Sequence, residues 1–302
     1  MSRGTRPVRL GPPGPGPERP RVPRPPGGGA VQSLPLGILD TILATKRDEV
    51  TVLRHPRTRD LLRARALEAP PTRDFAGALR RPDGRLGVIA ELKRRSPSKG
   101  DLAPGLDPVP TAKAYEAGGA AALSVLTDAP YFGGSVADLE SARAATAIPV
   151  LRKDFTIDEV QVYEARAIGA DAVLLIAAAL PDDALLADLH ALARELGLGV
   201  LVEAHDGHEV ERALRAGARV VGVNSRDLST FAEDLGVAES AARLIPADVV
   251  AVAESAIRSA DDAARMAAAG FDAVLVGEAL VRAGDPRGLV AAMAATPVRG
   301  RG

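Results

Sequence analysis

Residues 87–100 read Gly-Val-Ile-Ala-Glu-Leu-Lys-Arg-Arg-Ser-Pro-Ser-Lys-Gly, which is an apolar run followed by a polar loop. The run Val88–Leu92 has the length of one buried strand, and Glu91 and Lys93 lie two positions apart at its end. Residues two apart on a strand point to the same face, so a carboxylate and an ammonium project together there. In parallel α/β proteins the loops after the strands carry the chemistry. Such a pair taken alone is more often a solvated ion pair, so the rest of the chain must decide.

From Gly87 onward, short β-branched runs alternate with Ala-rich stretches of helical periodicity. The predicted strands are Val88–Leu92, Ala122–Val125, Val150–Arg152, Ala172–Ile176, Gly199–Glu203, Val220–Asn224, Val249–Glu254 and Ala273–Val276. The predicted helices are Thr111–Ala117, Val136–Ala145, Asp158–Ile168, Asp182–Leu196, Gly207–Ala216, Gly236–Leu244, Ser259–Ala269 and Asp285–Ala295. Eight βα units favour an α/β fold of the (β/α)8 TIM-barrel class. An open doubly wound sheet is the alternative, but no predicted strand opens on a Gly-x-Gly-x-x-Gly turn.

Two further regions precede the barrel. Apolar residues at helical spacing predict an amphipathic helix over Leu36–Leu53, a second helix over Leu61–Glu68, and a third over Asp74–Arg81 that is capped at Thr72 or Asp74. Before them, residues 1–35 are rich in Pro, Gly and Arg and have no apolar periodicity. Such a composition predicts a disordered tail. We therefore expect a tail at 1–35 and a single barrel domain, with its N-terminal helices, at 36–302.

Composition excludes several classes of protein. The formal net charge of −1 gives no electrostatic attraction to nucleic acid or to a membrane surface. The chain has no Cys, so it has no disulfide, no thiol nucleophile and no Cys metal site. Its longest apolar run, Ala172–Pro181, is shorter than the roughly 20 residues that cross a bilayer. The N-terminus lacks the apolar segment of a signal peptide, and we expect a cytoplasmic protein.

Polar residues concentrate where the predicted strands end. Strand three ends at Lys153, strand five at Glu203, strand six at Asn224, and strand seven at Glu254 followed by Ser255. Of the 38 basic residues only five are Lys, and Asn224 is the only Asn. A Lys in an Arg-rich chain draws attention because burial can shift its pKa into a catalytic range, which Arg does not allow. Lys153 alone would be read as an exposed cation and Asn224 alone as a turn residue. Their joint position favours a catalytic cluster.

These stretches resemble the signatures of the indole-3-glycerol-phosphate synthase family of tryptophan biosynthesis. The resemblance runs from Leu36 to the last helix, and its most specific motifs are Ile-Ala-Glu-x-Lys-x-x-Ser-Pro-Ser-x-Gly at strand one and Leu-Arg-Lys-Asp-Phe at strand three. It implies ring closure of 1-(2-carboxyphenylamino)-1-deoxyribulose 5-phosphate to indole-3-glycerol phosphate, with loss of CO2 and water. No redox step occurs, so no nicotinamide or flavin cofactor is expected. No metal is expected either, because the chain has no Cys and, of its four His, only His205 lies at a strand end. Other enzymes of the same pathway are candidate partners.

The resemblance also assigns roles to individual residues. Lys153 matches the general acid, Glu203 the base or proton partner, and Lys93 a cation that neutralises anionic substrate groups. Glu91 and Asn224 would position hydroxyls and developing charge, and Glu254 belongs to the strand-seven pair. Which carboxylate performs which proton transfer stays open at this point.

The substrate-binding residues follow in the same way. Ser96 resembles the residue near the substrate carboxylate, Phe132 would line the aromatic pocket, and Ser255 would face phosphate. The phosphate is expected on backbone amides after strands seven and eight, where Gly277 permits close approach. The chain departs from the family pattern at Ala256, where Gly is usual, so the backbone φ is restricted and weaker phosphate binding is expected. It also departs at Glu278, whose anionic side chain is expected to point away from the phosphate.

Other classes of function differ at definite residues. Phosphoribosylanthranilate isomerase, a sister barrel, relies on a strand-one Cys that this chain lacks. Barrels of thiamin-precursor or histidine biosynthesis would share the phosphate site but not the Lys-Asp-Phe motif. A catalytically silent barrel that serves as an interaction subunit is the non-enzyme alternative, and the charged residues at the strand ends disfavour it.

Overall fold

The computed structural model describes Met1 and residues 37–226 and 233–299. Its central element is a closed barrel of parallel strands in the order β1-β4-β5-β6-β7-β8-β9-β10, with β1 pairing again with β10. The barrel strands are β1 (Gly87–Leu92), β4 (Ala122–Leu126), β5 (Val150–Lys153), β6 (Ala172–Ile176), β7 (Gly199–Ala204), β8 (Val220–Asn224), β9 (Val250–Glu254) and β10 (Ala273–Val276). In the loop after β1, β2 (Arg95–Ser96) and β3 (Gly100–Asp101) form an antiparallel hairpin. The predicted (β/α)8 fold is confirmed.

Helices alternate with the barrel strands and also precede them. The N-terminal helices are α1 (Ile38–Leu53), α2 (Pro56–Glu68) and α3 (Phe75–Leu79). The later ones are α4 (Pro108–Ala117), α5 (Ala129–Phe132), α6 (Val136–Ala145), α7 (Glu159–Ala167), α8 (Asp183–Glu195), α9 (Gly207–Arg215), α10 (Leu235–Ala242), α11 (Ala260–Ala268), α12 (Glu278–Arg282) and α13 (Pro286–Ala294). A 3-10 turn at Ala177–Ala179 follows β6.

Two of the predicted N-terminal helices have different bounds in the structure, and several short elements were not predicted. Helix α2 begins at Pro56 rather than Leu61, because Pro is well suited to the first helical position. Helix α3 ends at Leu79 rather than Arg81, and its cap is Asp74, whose carboxylate accepts the Gly77 N–H at 2.9 Å. The β2–β3 hairpin, α5 and α12 were not predicted, since segments of two to five residues are too short for periodicity to reveal.

The alternation of side chains along each strand decides what fills the barrel. Ile89, Leu151, Leu201, Val252 and Leu275 belong to one buried cluster inside the barrel, whereas their strand neighbours pack outward against the helices. Phe75 and Leu79 of α3 join the inner cluster beside the first residues of β7 and β1, so α3 covers the N-terminal end of the barrel. The opposite end, where the strands finish, is the end left for a site.

The predicted tail, residues 1–35, lies outside the described residues apart from Met1. The described residues from Gly37 onward belong to one compact unit. Within that part of the chain, no helix has the length and apolarity required to cross a membrane.

Candidate active site

A cavity of about 500 Å³ opens at the carboxyl ends of the strands. Pockets of this size accommodate metabolite-sized ligands. Its wall is mostly apolar, with charged groups at its base and rim. The lining side chains that matter below are Leu39, Glu91, Lys93, Ser98, Phe132, Lys153, Phe155, Glu203, Asn224, Arg226, Glu254, Ser255, Ala256, Arg258, Gly277 and Glu278.

The period of two along each strand delivers the charged residues to this cavity. Residues 89, 151, 201 and 252 fill the barrel interior, and each lies two positions before a charged residue at a strand end. The same face of β1, β5, β7 and β9 therefore ends on Glu91, Lys153, Glu203 and Glu254. Register completes the arrangement, because Asn224 of β8 lies directly beside Glu254 of β9.

Lys153 stands at the centre of the charged cluster. Its Nζ donates to Glu203 Oε2 at 3.1 Å and lies 3.7 Å from Glu254 Oε2. Asn224 Nδ2 donates to the other oxygen of Glu203 at 2.9 Å. Glu203 and Glu254 are 2% exposed, whereas the Lys153 side chain keeps 17% of its surface facing the cavity. The cluster therefore presents an ammonium to a ligand and keeps its carboxylates behind it.

Lys93, which directly follows β1, forms a second ion pair. Its Nζ lies 2.8 Å from Glu91 Oε1, and Ser124 donates its hydroxyl to Glu91 Oε2 at 3.1 Å. Gly277 serves this pair, since a Cβ at that position would collide with the Glu91 carboxylate. Any side chain at residue 277 would thus displace the Glu91–Lys93 pair. This is a second reason for Gly at this position, in addition to the close approach of a phosphate that the sequence predicted.

The four ionisable groups shift one another's pKa values in different directions. Burial alone would lower the pKa of Lys153, but Glu203, Glu254 and Glu91 outweigh it and raise that pKa. Burial likewise opposes ionisation of Glu91 and Glu203, yet the adjacent lysines lower the pKa of both carboxyls. Burial and the neighbouring Glu203 charge hold the pKa of Glu254 well above its usual range. The surroundings therefore favour the ionised forms of Glu91, Glu203 and Lys153 and disfavour ionisation of Glu254.

The apolar wall contains an aromatic pair. The rings of Phe132, on α5, and Phe155, just after β5, have centroids 6.1 Å apart. Ile38, Leu39 and Ile42 of α1 also line the cavity, so the helix outside the barrel repeat forms part of its wall. The structure thus places Phe132 where the sequence analysis expected it and adds Phe155.

Ser96 is the one candidate that the structure does not bring to the cavity. It is buried, and its hydroxyl oxygen accepts the Lys99 N–H at 3.2 Å, which holds the turn of the β2–β3 hairpin. Pro97 and Ser98, at the tip of that turn, line the cavity instead. Ser98 Oγ also accepts a hydrogen bond from Arg226 Nη1 at 3.4 Å.

The segment after β9 has an unusual backbone. Ser255 and Ala256 both adopt the left-handed region, with φ of 65° and 59°. This region suits Gly and is strained for Ala. The five-residue helix α12 begins after Gly277, and Glu278 at its start pairs with Arg282 at 3.3 Å along the helix. Ser255, Ala256, Gly277 and Glu278 all line one side of the cavity.

Two rim arginines were not among the predicted site residues. Arg226 and Arg258 both bind Glu233 and line the cavity. Arg226 lies two positions after Asn224, and this spacing was the available signal. In residues 37–226 and 233–299, no three His, Asp or Glu side chains gather closely enough to hold a metal ion.

A family model described as indole-3-glycerol phosphate synthase matches residues 39–293. A protein of that name from Paenarthrobacter aurescens is 51% identical over 253 residues, which cover 83% of this chain and 93% of that protein. One from Laribacter hongkongensis is 52% identical and covers 82% of this chain and 95% of its own. One from a Nocardioides species is 52% identical and covers 85% and 98%.

Two solved structures share the barrel. Thiamine phosphate pyrophosphorylase from Pyrococcus furiosus superposes with a TM-score of 0.52 at 20% identity, covering 70% of this chain and 94% of that one. A 3-hexulose-6-phosphate synthase gives a TM-score of 0.57 at 17% identity, covering 71% and 100%. At these identities the likeness shows the fold alone.

Proposed function

The chain belongs to the indole-3-glycerol phosphate synthase family, and from this premise we propose that the cavity at the strand ends is where its ring-closing reaction occurs. The activity is that of a carboxy-lyase of tryptophan biosynthesis, acting on the phosphorylated substrate 1-(2-carboxyphenylamino)-1-deoxyribulose 5-phosphate. The proposal rests above all on one observation: Lys153 and Glu203, 3.1 Å apart, meet inside a cavity of suitable size.

Lys153 acts as the general acid in this proposal. The aromatic ring carbon attacks the ketone only when the ketone oxygen is polarised or protonated, and the hydroxyl so formed must later leave as water. The ammonium of Lys153 faces the cavity, and the carboxylates behind it keep it charged. Glu203 acts as the base, because it is ionised and next to the acid that it recharges.

The other charged groups position the substrate. Lys93, held by Glu91, offers a cation to an anionic substrate group. Asn224 fixes Glu203, and Glu91 and Asn224 are close enough to the cavity to contact substrate hydroxyls. Glu254 lies behind Lys153, and its raised pKa supports a role for it that differs from those of Glu91 and Glu203.

The two ends of the substrate fit opposite walls. Phe132 and Phe155 offer an apolar surface to the aromatic ring, and a dry surface also favours release of neutral CO2 from a carboxylate. The backbone of Ser255, Ala256 and Gly277 lies on the other side, where we assign the phosphate. In this assignment Ser98, rather than Ser96, is the serine near the carboxylate that the aromatic ring of the substrate carries.

The experiment is an assay of the purified chain with the carboxyphenylamino deoxyribulose phosphate, monitored by indole fluorescence. We expect turnover without added cofactor, and we expect Lys153→Ala to abolish most of it. Absence of indole product from the wild-type chain would overturn the proposal.

We also propose a cytoplasmic location and association with other enzymes of the pathway. The catalytic unit is confined to residues 36–302 in this proposal, so that deletion of residues 1–35 leaves turnover unchanged.

A further inference from the structure

His205 lies just beyond the catalytic cluster and has no part in the roles assigned so far. It follows Glu203 by two residues, at the point where β7 passes into α9. Its Nε2 lies 3.6 Å from Glu203 Oε1, and that nitrogen is buried without a hydrogen-bond partner. The geometry therefore directs one ring nitrogen at the carboxylate that we assign as the base.

The other ring nitrogen is held from the opposite side. Nδ1 lies 3.1 Å from Glu209 Oε2, and the same oxygen accepts the His205 backbone N–H at 2.8 Å. The ring orientation is thus fixed, with one carboxylate at each nitrogen. Burial alone would lower the pKa of His205, but the hydrogen bond to Glu209 and the charges of Glu209 and Glu203 raise it against the opposing charge of Lys153.

His205 also belongs to a different cavity from Glu203. A second cleft, lined by His205, Asp206, Asp234, Ser240 and neighbouring apolar residues, lies outside the site. Glu203 lines the first cavity and not the second, whereas His205 lines the second and not the first. The 3.6 Å between these two side chains is therefore a point of near contact between the substrate cavity and another opening to solvent.

The chemistry requires such a route. During ring closure the substrate carboxylate leaves as neutral CO2, and the ketone oxygen leaves as water after taking up two protons. The substrate releases one proton when the carbon–carbon double bond forms. Two protons taken up and one released leave a net uptake of one proton from solvent in each turnover. A substrate bound in the cavity at the strand ends obstructs the path from solvent through that cavity to Lys153 and Glu203.

We propose that His205 relays this proton from the second cleft to the catalytic pair. The imidazolium, protonated on both nitrogens, gives its Nε2 proton to Glu203 Oε1. The carboxyl group then rotates so that this same proton reaches the Lys153 amine, and the neutral imidazole takes up a new proton at Nε2 from solvent that enters through the second cleft. Glu209 orients the ring and stabilises its charged form. This inference rests on the proposed function, and it makes His205 a positioning and relay residue that does not touch the substrate.

The test compares His205→Gln, which keeps a polar side chain of similar reach but cannot carry a proton, with His208→Gln. His208 is exposed and three residues away on α9. We expect His205→Gln to lower kcat at least about tenfold, less than the 10²–10⁴-fold typical of losing a direct acid, with KM within about twofold of the wild-type value. The effect should grow as the pH rises, because protons become scarce, and added imidazole should restore part of kcat through the cleft. His208→Gln should behave as the wild-type protein.

Three outcomes would overturn the relay: an unchanged kcat in His205→Gln, a loss that imidazole does not restore, or an equal loss in His208→Gln. A variant Glu209→Gln, which leaves the imidazole in place, guards against a folding defect and should show a smaller loss with a shifted pH profile. If Glu209→Gln folds and its pH profile matches that of the wild-type protein, the relay is also wrong. An inactive wild-type chain would overturn the proposed function, whereas an active one with an unaffected His205→Gln variant overturns the relay alone.

Discussion

The chain buries two lysines among carboxylates, and the two surroundings differ in one respect. Lys46 of α1 lies 2.8–2.9 Å from oxygens of Glu49, Asp128 and Asp154, and its side chain is 2% exposed. Lys153 Nζ lies 3.1 Å from an oxygen of Glu203 and 3.7 Å from an oxygen of Glu254, and 17% of its side-chain surface is exposed. An ammonium has three protons to donate. Lys46 Nζ has three carboxylate oxygens within 2.9 Å, whereas Lys153 Nζ has one within hydrogen-bond distance and retains capacity for a ligand.

The difference separates a structural ion-pair cluster from one to which we assign a catalytic role. Lys46 does not line the cavity, and its two distant partners belong to the loops after β4 and β5. Asp154, one of them, immediately follows Lys153 and also accepts hydrogen bonds from Thr127 and Arg152. Lys46 thus anchors α1 to the two loops beside the site, and it does not reach the cavity in which a substrate would bind.

The largest effect that this comparison predicts is on turnover. Lys153→Met should lower kcat by roughly 10²–10⁴-fold, the range for losing a general acid, with KM changing far less because phosphate and aromatic contacts hold the substrate. Lys153→Arg should not restore kcat, since guanidinium does not release its proton at accessible pH. Steady-state kinetics by indole fluorescence measure both.

The control for this prediction is Lys113→Met, which removes an exposed lysine on α4. Its kcat should equal that of the wild-type protein. Near-normal turnover in Lys153→Arg would make Lys153 an electrostatic anchor, and the acid would then be Lys93 or Glu254.

The second effect is on stability and falls on the other lysine. Lys46→Met leaves Asp128 and Asp154 buried without their cation, and breaking a buried pair in this way costs about 3–5 kcal/mol. For a domain of this size that corresponds to a fall in Tm of roughly 6–20 °C. Differential scanning calorimetry, with Lys113→Met as the unaffected control, measures it. A Tm that stays within about 2 °C of the wild-type value would show that Lys46 does not anchor α1.

The third effect is a difference in pH dependence. Asp154, beside Lys46, has a lowered pKa, because Lys46 and Arg152 outweigh its burial, so its stabilisation is present above its ordinary pKa and is lost as the pH falls. Glu254, beside Lys153, has a raised pKa, so its stabilisation is present at low pH and is lost as the pH rises through the native pKa.

Glu254→Gln mimics the protonated carboxyl and removes the second dependence. The variant should gain stability relative to the wild-type protein as the pH rises from 5 to 9, by on the order of 1 kcal/mol. Urea unfolding at a series of pH values measures the gain. A constant difference between the two proteins across that range would mean that Glu254 is ionised in the native state.

The sequence indicated the surroundings of Lys153 better than those of Lys46, for a physical reason. Strand alternation carries Glu91, Lys153, Glu203 and Glu254 to one end of the barrel, and a period of two is readable without tertiary structure. Lys46 looked like a polar residue on an amphipathic helix, because its partners Asp128 and Asp154 lie about a hundred residues away. His205, Phe155 and Ser98 were likewise missed as site neighbours, since loop geometry brought them there.

The smallest predicted effect concerns the backbone next to the catalytic cluster. Two residues after Glu254, Ala256 has a φ of 59°, a conformation that costs an L-residue other than Gly about 1–2 kcal/mol. Ala256→Gly removes that strain but adds freedom to the unfolded chain, about 0.5–1 kcal/mol in the opposite direction. The net gain should be a few tenths of a kcal/mol to about 1 kcal/mol, which raises Tm by roughly 1–4 °C.

The control is Ala264→Gly, on an exposed position inside α11, which should instead lower stability by about 1 kcal/mol. Opposite signs for the two Ala→Gly changes in parallel unfolding curves would show that strain is stored in the backbone that follows Glu254, at the proposed site. A loss of stability in Ala256→Gly as large as that in Ala264→Gly would mean that this turn is not left-handed.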